Sequence, residues 1–198
     1  MDRVLEETND HFTAVYMDDI IVYSRTFEDH LQHLKKVFQL LEKAKLKCGA
    51  DKCSFCRTKI PFLGHIITPE GIKPNEALTT KVKDFPAPQN VTAIQSFLGL
   101  SGYYRQFIKN YAKIALPLTR LTRKNTPFEW TQECQEAFEH LKQQLVSEPI
   151  LQFPDFEQHF VFYTDASDFG LGAVLAQRLQ NGKETVIEYA SRTLNSPE

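Results

Sequence analysis

The chain has 198 residues, 42% hydrophobic and 24% charged, a balance that supports a packed core and excludes a disordered chain. No run of about 18 apolar residues occurs and no basic stretch leads into an apolar one at the N-terminus, which excludes a membrane-spanning helix and a secretory signal as readings. The net charge of −2 conceals a basic segment: from Ile72 to Lys124, nine Lys or Arg residues face only Glu76 and Asp84, so that segment carries +7 and the remainder −9.

Such a local surplus suits phosphate contacts, although a merely solvated basic face reads the same way. Cys48, Cys53, Cys56 and Cys134 are too few for a disulfide scaffold of this size and fit a reducing compartment.

In chain order, Thr13 to Ser24 sets β-branched and aromatic runs on both sides of Asp18-Asp19, the pattern of a tight hairpin. Thr26 and Asp29 resemble a capping box, and Phe27, Leu31, Leu34, Val37, Phe38 and Leu41 recur at helical spacing. Ala44, with Lys43, Lys45 and Lys47, closes that helix, and His30 and His33 fall on its polar side, expected in solvent. Phe62 to Thr68 reads as a short strand or hairpin ended by Pro69 to Gly71. Helices are expected over about 75–85, ending before Pro86, and over about 90–107. Beyond Pro117 and the basic run from Arg120 to Lys124 a loop is expected, followed by a helix over about 131–146. Pro149 and Pro154 mark a linker-like passage. Strands over 160–165, 171–179 and 184–190 follow, the last two joined at Asn181-Gly182 by a type I′ turn.

Adjacent carboxylates between Tyr16-Met17 and Ile20-Ile21-Val22 repel one another unless a cation neutralises them, and Mg²⁺ accepts carboxylate, phosphate and water oxygens together. An Asp-Asp surface turn is the plain alternative, but it has no need of such apolar flanks. On the helix over 90–107, Ile94, Phe97, Leu98, Ser101 and Tyr104 share the core face. Gln95, Gly99, Gly102, Tyr103 and Gln106 form a second stripe without aliphatics, where two glycines each lose about 1 kcal/mol relative to alanine. Something must come close there, either a neighbouring helix or a ligand. Cys48, Cys53, Cys56 and His65 fit zinc spacing poorly.

Tyr16-Met17-Asp18-Asp19 with I-I-V-Y-S resembles motif C of reverse transcriptases. In order along the chain, E-D-H-L-Q-H-L, K-C-S-F, F-L-G-H-I-I, S-F-L-G-L-S-G-Y-Y-R, P-F-E-W-T-Q-E-C and Y-T-D-A-S-D-F-G-L-G-A-V-L-A-Q are similar to gypsy-type long-terminal-repeat retrotransposon Pol polyproteins. The resemblance implies an α+β chain: the C-terminal half of a polymerase palm over 1–68, a helical thumb over 69–126, and a linker helix with the N-terminal three-stranded part of a ribonuclease H-like domain over 127–198.

It implies further that Asp18 and Asp19 are catalytic and hold Mg²⁺, with Tyr16 and Met17 beside the primer terminus and template. Lys52 matches a lysine that protonates the pyrophosphate leaving group, a general-acid role, though a solvated turn lysine is the alternative. Phe62, Leu63, Gly64 and His65 match a primer grip. Gln95, Gly99 and Tyr103 match a minor-groove track, and Asp165 the first metal-binding carboxylate of ribonuclease H, with Asp168 read as a turn residue. The expected partners are an RNA/DNA primer–template duplex, deoxynucleotides and the rest of the Pol polyprotein, with no membrane; the expected location is intracellular and cytoplasmic, a virus-like particle or the nucleus being alternatives. Motif A, the fingers and the later ribonuclease H carboxylates, the first on a helix expected after Ser196-Pro197-Glu198, are not among these residues. Each two-metal site is therefore expected to be incomplete, and the segment inactive alone. A non-catalytic nucleic-acid-binding protein from a decayed or domesticated element is the other class.

Overall fold

The computed structural model describes residues 3–9, 11–147, 149–168 and 170–194. The end at 196–198 lies outside the described residues. Contacts group the chain into two compact units, Met1–Cys56 and Arg57–Glu198.

In the first unit, β1 (Thr13–Tyr16) pairs antiparallel with β2 (Asp19–Val22), with Thr13 opposite Val22 and Tyr16 opposite Asp19. The loop is therefore Met17-Asp18, and Met17 takes φ 53°. Helix α1 (Phe27–Lys43) starts as expected: Thr26 accepts from the Asp29 backbone N–H and donates its hydroxyl to the Asp29 carboxylate. It ends before Lys47 because Lys45 turns left-handed at φ 59°, with Lys45 N–H donating to Glu42 O and Leu46 N–H to Leu41 O. That is a Schellman closure with lysine in glycine's usual place. Leu5, Val37, Leu40 and Leu41 are buried, and Phe12, Val15, Ile20 and Val22 pack against them, so one face of the hairpin rests on α1.

The second unit begins with a meander, β3 (Ile60–Phe62), β4 (His65–Thr68) and β5 (Gly71–Pro74). Leu63 and Gly64, at φ 45° and 71°, form the β3–β4 loop, as a type I′ turn requires. The third strand was not expected. It leaves Gly71 at φ 137°, where any Cβ would collide with the Leu151 carbonyl. Helices α2 (Glu76–Lys83) and α3 (Val91–Tyr103) are capped by the Asn75 and Asn90 side chains, and a 3₁₀ turn (Arg105–Phe107) follows α3.

Before the loop expected beyond Lys124, which is present, the chain forms a helix that was not expected, α4 (Tyr111–Leu121), with Pro117 inside it. Burial overrides the breaker: Ala115, Leu118 and Leu121 face the same core as Ile94, Phe97, Tyr104, Phe107, Phe138, Leu141 and Leu145. Helix α5 (Gln132–Val146), capped by Thr131, completes the bundle.

The last sheet has the order β6 (Phe160–Ser167), β7 (Gly170–Arg178), β8 (Glu184–Thr193), all antiparallel. Of Asn181-Gly182 only Gly182 has positive φ, and its N–H donates to Leu179 O. The turn is thus a longer one with glycine at its left-handed position, not the expected type I′ pair. This sheet is not tethered by a free linker. Leu151 exchanges two backbone hydrogen bonds with Ile72, Gln152 N–H donates to Val186 O, and Val186 and Tyr189 of β8 pack on the helical core.

Candidate active site and nucleic-acid interface

In the first unit the hairpin presents Tyr16, Met17, Asp18 and Asp19 at its exposed tip, with Tyr16 49% and Met17 75% accessible. Asp18 occupies the loop and Asp19 the first position of β2. A positive φ at methionine carries backbone strain of about 1–3 kcal/mol, which folded proteins concentrate at working loops. Among the described residues neither carboxylate has a salt-bridge partner, and no group of three or more His, Cys, Asp or Glu side chains converges to hold a metal. Two solvent-facing carboxylates without a cation partner are of the kind a hard divalent ion takes. Lys52 ends an exposed 3₁₀ turn (Ala50–Lys52); no hydrogen bond or ion pair joins it to Asp18 or Asp19 among the described residues.

His30 and His33, expected in solvent, are half-buried. Both reach Ser24, and His33 stacks on Phe12.

In the second unit the β3–β4 turn and the end of α3 form one aromatic cluster. Tyr103 and Tyr104 donate their hydroxyls to Leu63 O and Gly64 O, each at 2.6 Å. His65 lies within 5.7 Å, centroid to centroid, of Tyr103, Tyr104 and Phe107. Its Nδ1 is 2.7 Å from Leu63 O, so Nδ1 carries the proton and donates; Nε2 is left to accept from Gln106 Nε2 at 3.2 Å. Burial holds the His65 imidazolium below the ordinary histidine range, partly offset by the Leu63 carbonyl. The ring is therefore neutral and fixed. Phe62 is half-buried on β3.

The two stripes of α3 appear in part: Leu98 is only half-buried, and Gln106 lies past the helix end in the 3₁₀ turn, against His65. Ile94, Phe97, Ser101 and Tyr104 are at 0% exposure, whereas Gln95, Gly99 and Tyr103 face solvent. No atom lies within 4 Å of a Cβ built on Gly99, so no neighbouring helix explains that glycine, while Gly102 faces the Tyr111 hydroxyl at 3.4 Å. Tyr103 does double duty: its ring is 52% exposed, yet its hydroxyl is committed to the turn. Sequence reasoning placed Tyr104 only in the core and did not anticipate the bond that ties it to residue 64. A hydrogen bond across 40 positions leaves no local pattern.

On the third sheet Asp165 is exposed within β6, which continues two residues further, to Ser167. It stands in one cross-strand row with Gly172 and Ser191, and Asp168 lies in the turn beyond. Gly172 leaves room for the Asn110 side chain, whose Oδ1 would lie 3.0 Å from an added Cβ, and Ser191 Oγ accepts from Ala112 N–H at 2.9 Å.

A carboxylate-tipped hairpin, a turn braced by a helix with an open glycine stripe, and an attached three-stranded sheet with its own exposed aspartate are the parts of a nucleic-acid polymerase joined to a ribonuclease H-like domain. Residues 1–67 match the family of reverse transcriptases (RNA-dependent DNA polymerases), and residues 130–198 match the RNase H-like domain found in reverse transcriptase. The chain belongs to the reverse transcriptase–ribonuclease H region of gypsy-type retrotransposon Pol polyproteins. It is 46% identical over 200 residues to the retrovirus-related Pol polyprotein from transposon 297 of Drosophila melanogaster, covering 100% of this chain and 18% of that protein. The gypsy polyprotein of the same fly is 36% identical over 210 residues, at 100% and 20% coverage. Among solved structures it resembles the foamy viral protease-reverse transcriptase in complex with double-stranded DNA, with TM-score 0.82, 28% identity, and 99% of this chain and 40% of that one covered. The same protein in complex with RNA/DNA hybrid gives TM-score 0.81 at 27% identity, covering 98% of this chain and 26% of that one. The chain spans a fifth or less of the two fly polyproteins. Both matched families generally depend on a divalent metal.

Proposed function

We propose that these residues are the motif-C half of a reverse transcriptase palm (1–68), its thumb (69–126), and the linker helix and first half of a ribonuclease H-like domain (127–198), working within an RNA-directed DNA polymerase. The observation that carries this reading is the exposed Asp18-Asp19 tip, free of any cation partner among the described residues. Asp18 and Asp19 would hold Mg²⁺ on the polymerase side and Asp165 on the ribonuclease side. A metal held there would supply charge stabilisation for an in-line phosphoryl transfer. Within the chain, Tyr16 and Met17 border the reacting end, and Lys52 supplies a proton to departing pyrophosphate. The fixed turn at Phe62–His65 supports the primer. Gln95, Gly99 and Tyr103 lie along the duplex minor groove, with the basic surplus of residues 72–124 on its phosphates. Its partners are a primer–template duplex, deoxynucleotides and the rest of the polyprotein, in an intracellular, cytoplasmic setting. No helix among the described residues is long and apolar enough to cross a membrane.

The test is binding of an RNA/DNA hybrid to the 198-residue protein across a salt series, alongside primer extension with Mg²⁺. Binding that weakens with salt by about 0.9 log units per log unit for each phosphate neutralised is expected. Extension by this segment alone is expected to be absent, because two adjacent carboxylates are only part of a two-metal set. Hybrid affinity indistinguishable from that of an unrelated acidic protein overturns the reading; robust extension overturns the incomplete-site part of it.

A further inference from the structure

At the end of the β1–β2 hairpin remote from Asp18 and Asp19, two imidazoles of α1 converge on one hydroxyl. His33 Nδ1 is 2.7 Å from Ser24 Oγ and 3.3 Å from Tyr23 O, and His30 Nδ1 is 3.2 Å from the same Ser24 Oγ. The His33 ring lies flat on Phe12, centroids 3.9 Å apart and planes 8° from parallel. Phe12 O accepts from Tyr23 N–H at 3.0 Å, so Phe12 and Tyr23-Ser24 are the two legs of the hairpin's open end. One helix side chain grips both legs.

The protons have one arrangement that satisfies every contact. With the proton on His33 Nδ1, the ring donates to Ser24 Oγ and toward Tyr23 O, and the serine hydroxyl is free to donate to His30 Nδ1. With the proton on Nε2 instead, the bare Nδ1 lone pair would face the Tyr23 carbonyl lone pair at 3.3 Å. The relay therefore runs from His33 to Ser24 to His30.

We infer that His33 is a positioning residue for the Asp18-Asp19 pair, acting through Ser24 and Phe12. This rests on the reading of that pair as metal-binding. The strands between grip and tip have four residues each, about 13 Å at 3.3 Å per residue. Tyr16 to Asp19 are exposed, and among the described residues no side-chain hydrogen bond or ion pair holds the tip. Packing of Val15, Ile20 and Val22 against the α1 core sets the spacing of hairpin and helix, but apolar contact is non-directional. The hydrogen bonds at the base have fixed angles and set the roll of the hairpin, and a small roll there displaces both carboxylates.

The experiment is side-chain and backbone ¹⁵N NMR of the whole 198-residue chain with a Mn²⁺ titration. In the unsubstituted protein His33 is expected as the Nδ1–H tautomer and His30 as the Nε2–H tautomer. Mn²⁺ is expected to broaden the amides of Met17, Asp18 and Asp19, and D18N with D19N to abolish that broadening. His33→Phe keeps a ring on Phe12 but donates nothing, and Ser24→Ala removes the acceptor. Both should shift the Met17–Asp19 amides and weaken Mn²⁺ binding severalfold. His33→Asn, which presents an N–H near the place of Nδ1–H, should recover most of that loss. An Nε2–H tautomer at His33, or tip amides unmoved by both variants, overturns the inference. Broadening that survives D18N with D19N overturns the metal reading instead, and the tautomer and amide shifts still judge the clamp.

Discussion

Gly99 has nothing to avoid and no turn to make, so its cost to α3 has no internal compensation. Gly99→Ala should therefore raise the stability of the free chain by up to about 1 kcal/mol in a denaturant titration. If a duplex backbone runs along the stripe, the same methyl should weaken hybrid binding. A variant that gains stability and binds hybrid unchanged removes Gly99 from the interface. The stripe itself was legible because helical spacing alone separates Gln95, Gly99 and Tyr103 from Ile94 and Phe97. The bracing of the turn by Tyr103 and Tyr104 was not, since it joins residues distant in sequence. His65 sits inside that bracing with a depressed pKa, so the unfolded chain holds its proton more firmly than the folded one. Its contribution to stability is complete above about pH 6.5 and is lost as pH falls below that value through the depressed one. Denaturation midpoints at about pH 7.5 and about pH 5.5 should differ more for the unsubstituted chain than for His65→Phe.

Elements with strong local signals were read correctly. Thr26, Asn75, Asn90 and Thr131 each cap the helix that follows, because an N-cap is a contact within three residues. Helix α4 was missed because Pro117 is a local breaker signal, whereas what holds the helix is tertiary. Leu118, the next residue, is at 0% exposure in the shared core. Leu118→Ala should cost about 2–5 kcal/mol, as deletion of a fully buried leucine does. A loss below about 1 kcal/mol would mean that α4 is not packed as described. Strand β5 escaped notice for a similar reason: Gly71 and Pro74 bound it as turn residues would, and its outer edge is satisfied by Leu151 from beyond α5.

At the scale of the whole molecule, the ordered sequence blocks made the class readable, but they could not show how β5, the helices and β8 share one core. The β3–β5 meander, the helices and the C-terminal sheet are joined there through Ile72–Leu151, Gln152–Val186 and the packing of Tyr189. The join extends to the start of α4. Asn110, left-handed at φ 58°, offers no side-chain cap, and the Ala112 N–H is met by Ser191 Oγ instead. Ser191→Ala should cost about 1 kcal/mol, the usual value of a lost cap, and should speed hydrogen exchange at Ala112.

One bond of the first turn of α4 reaches a hydroxyl 79 residues later, so it cannot form in the order the chain is made. On a translating ribosome α4 emerges well before Ser191, and the Ala112 N–H waits for that partner until β8 has left the exit tunnel. The helical bundle and the sheet that follows it should therefore become protease-resistant together, as a single late event in synthesis.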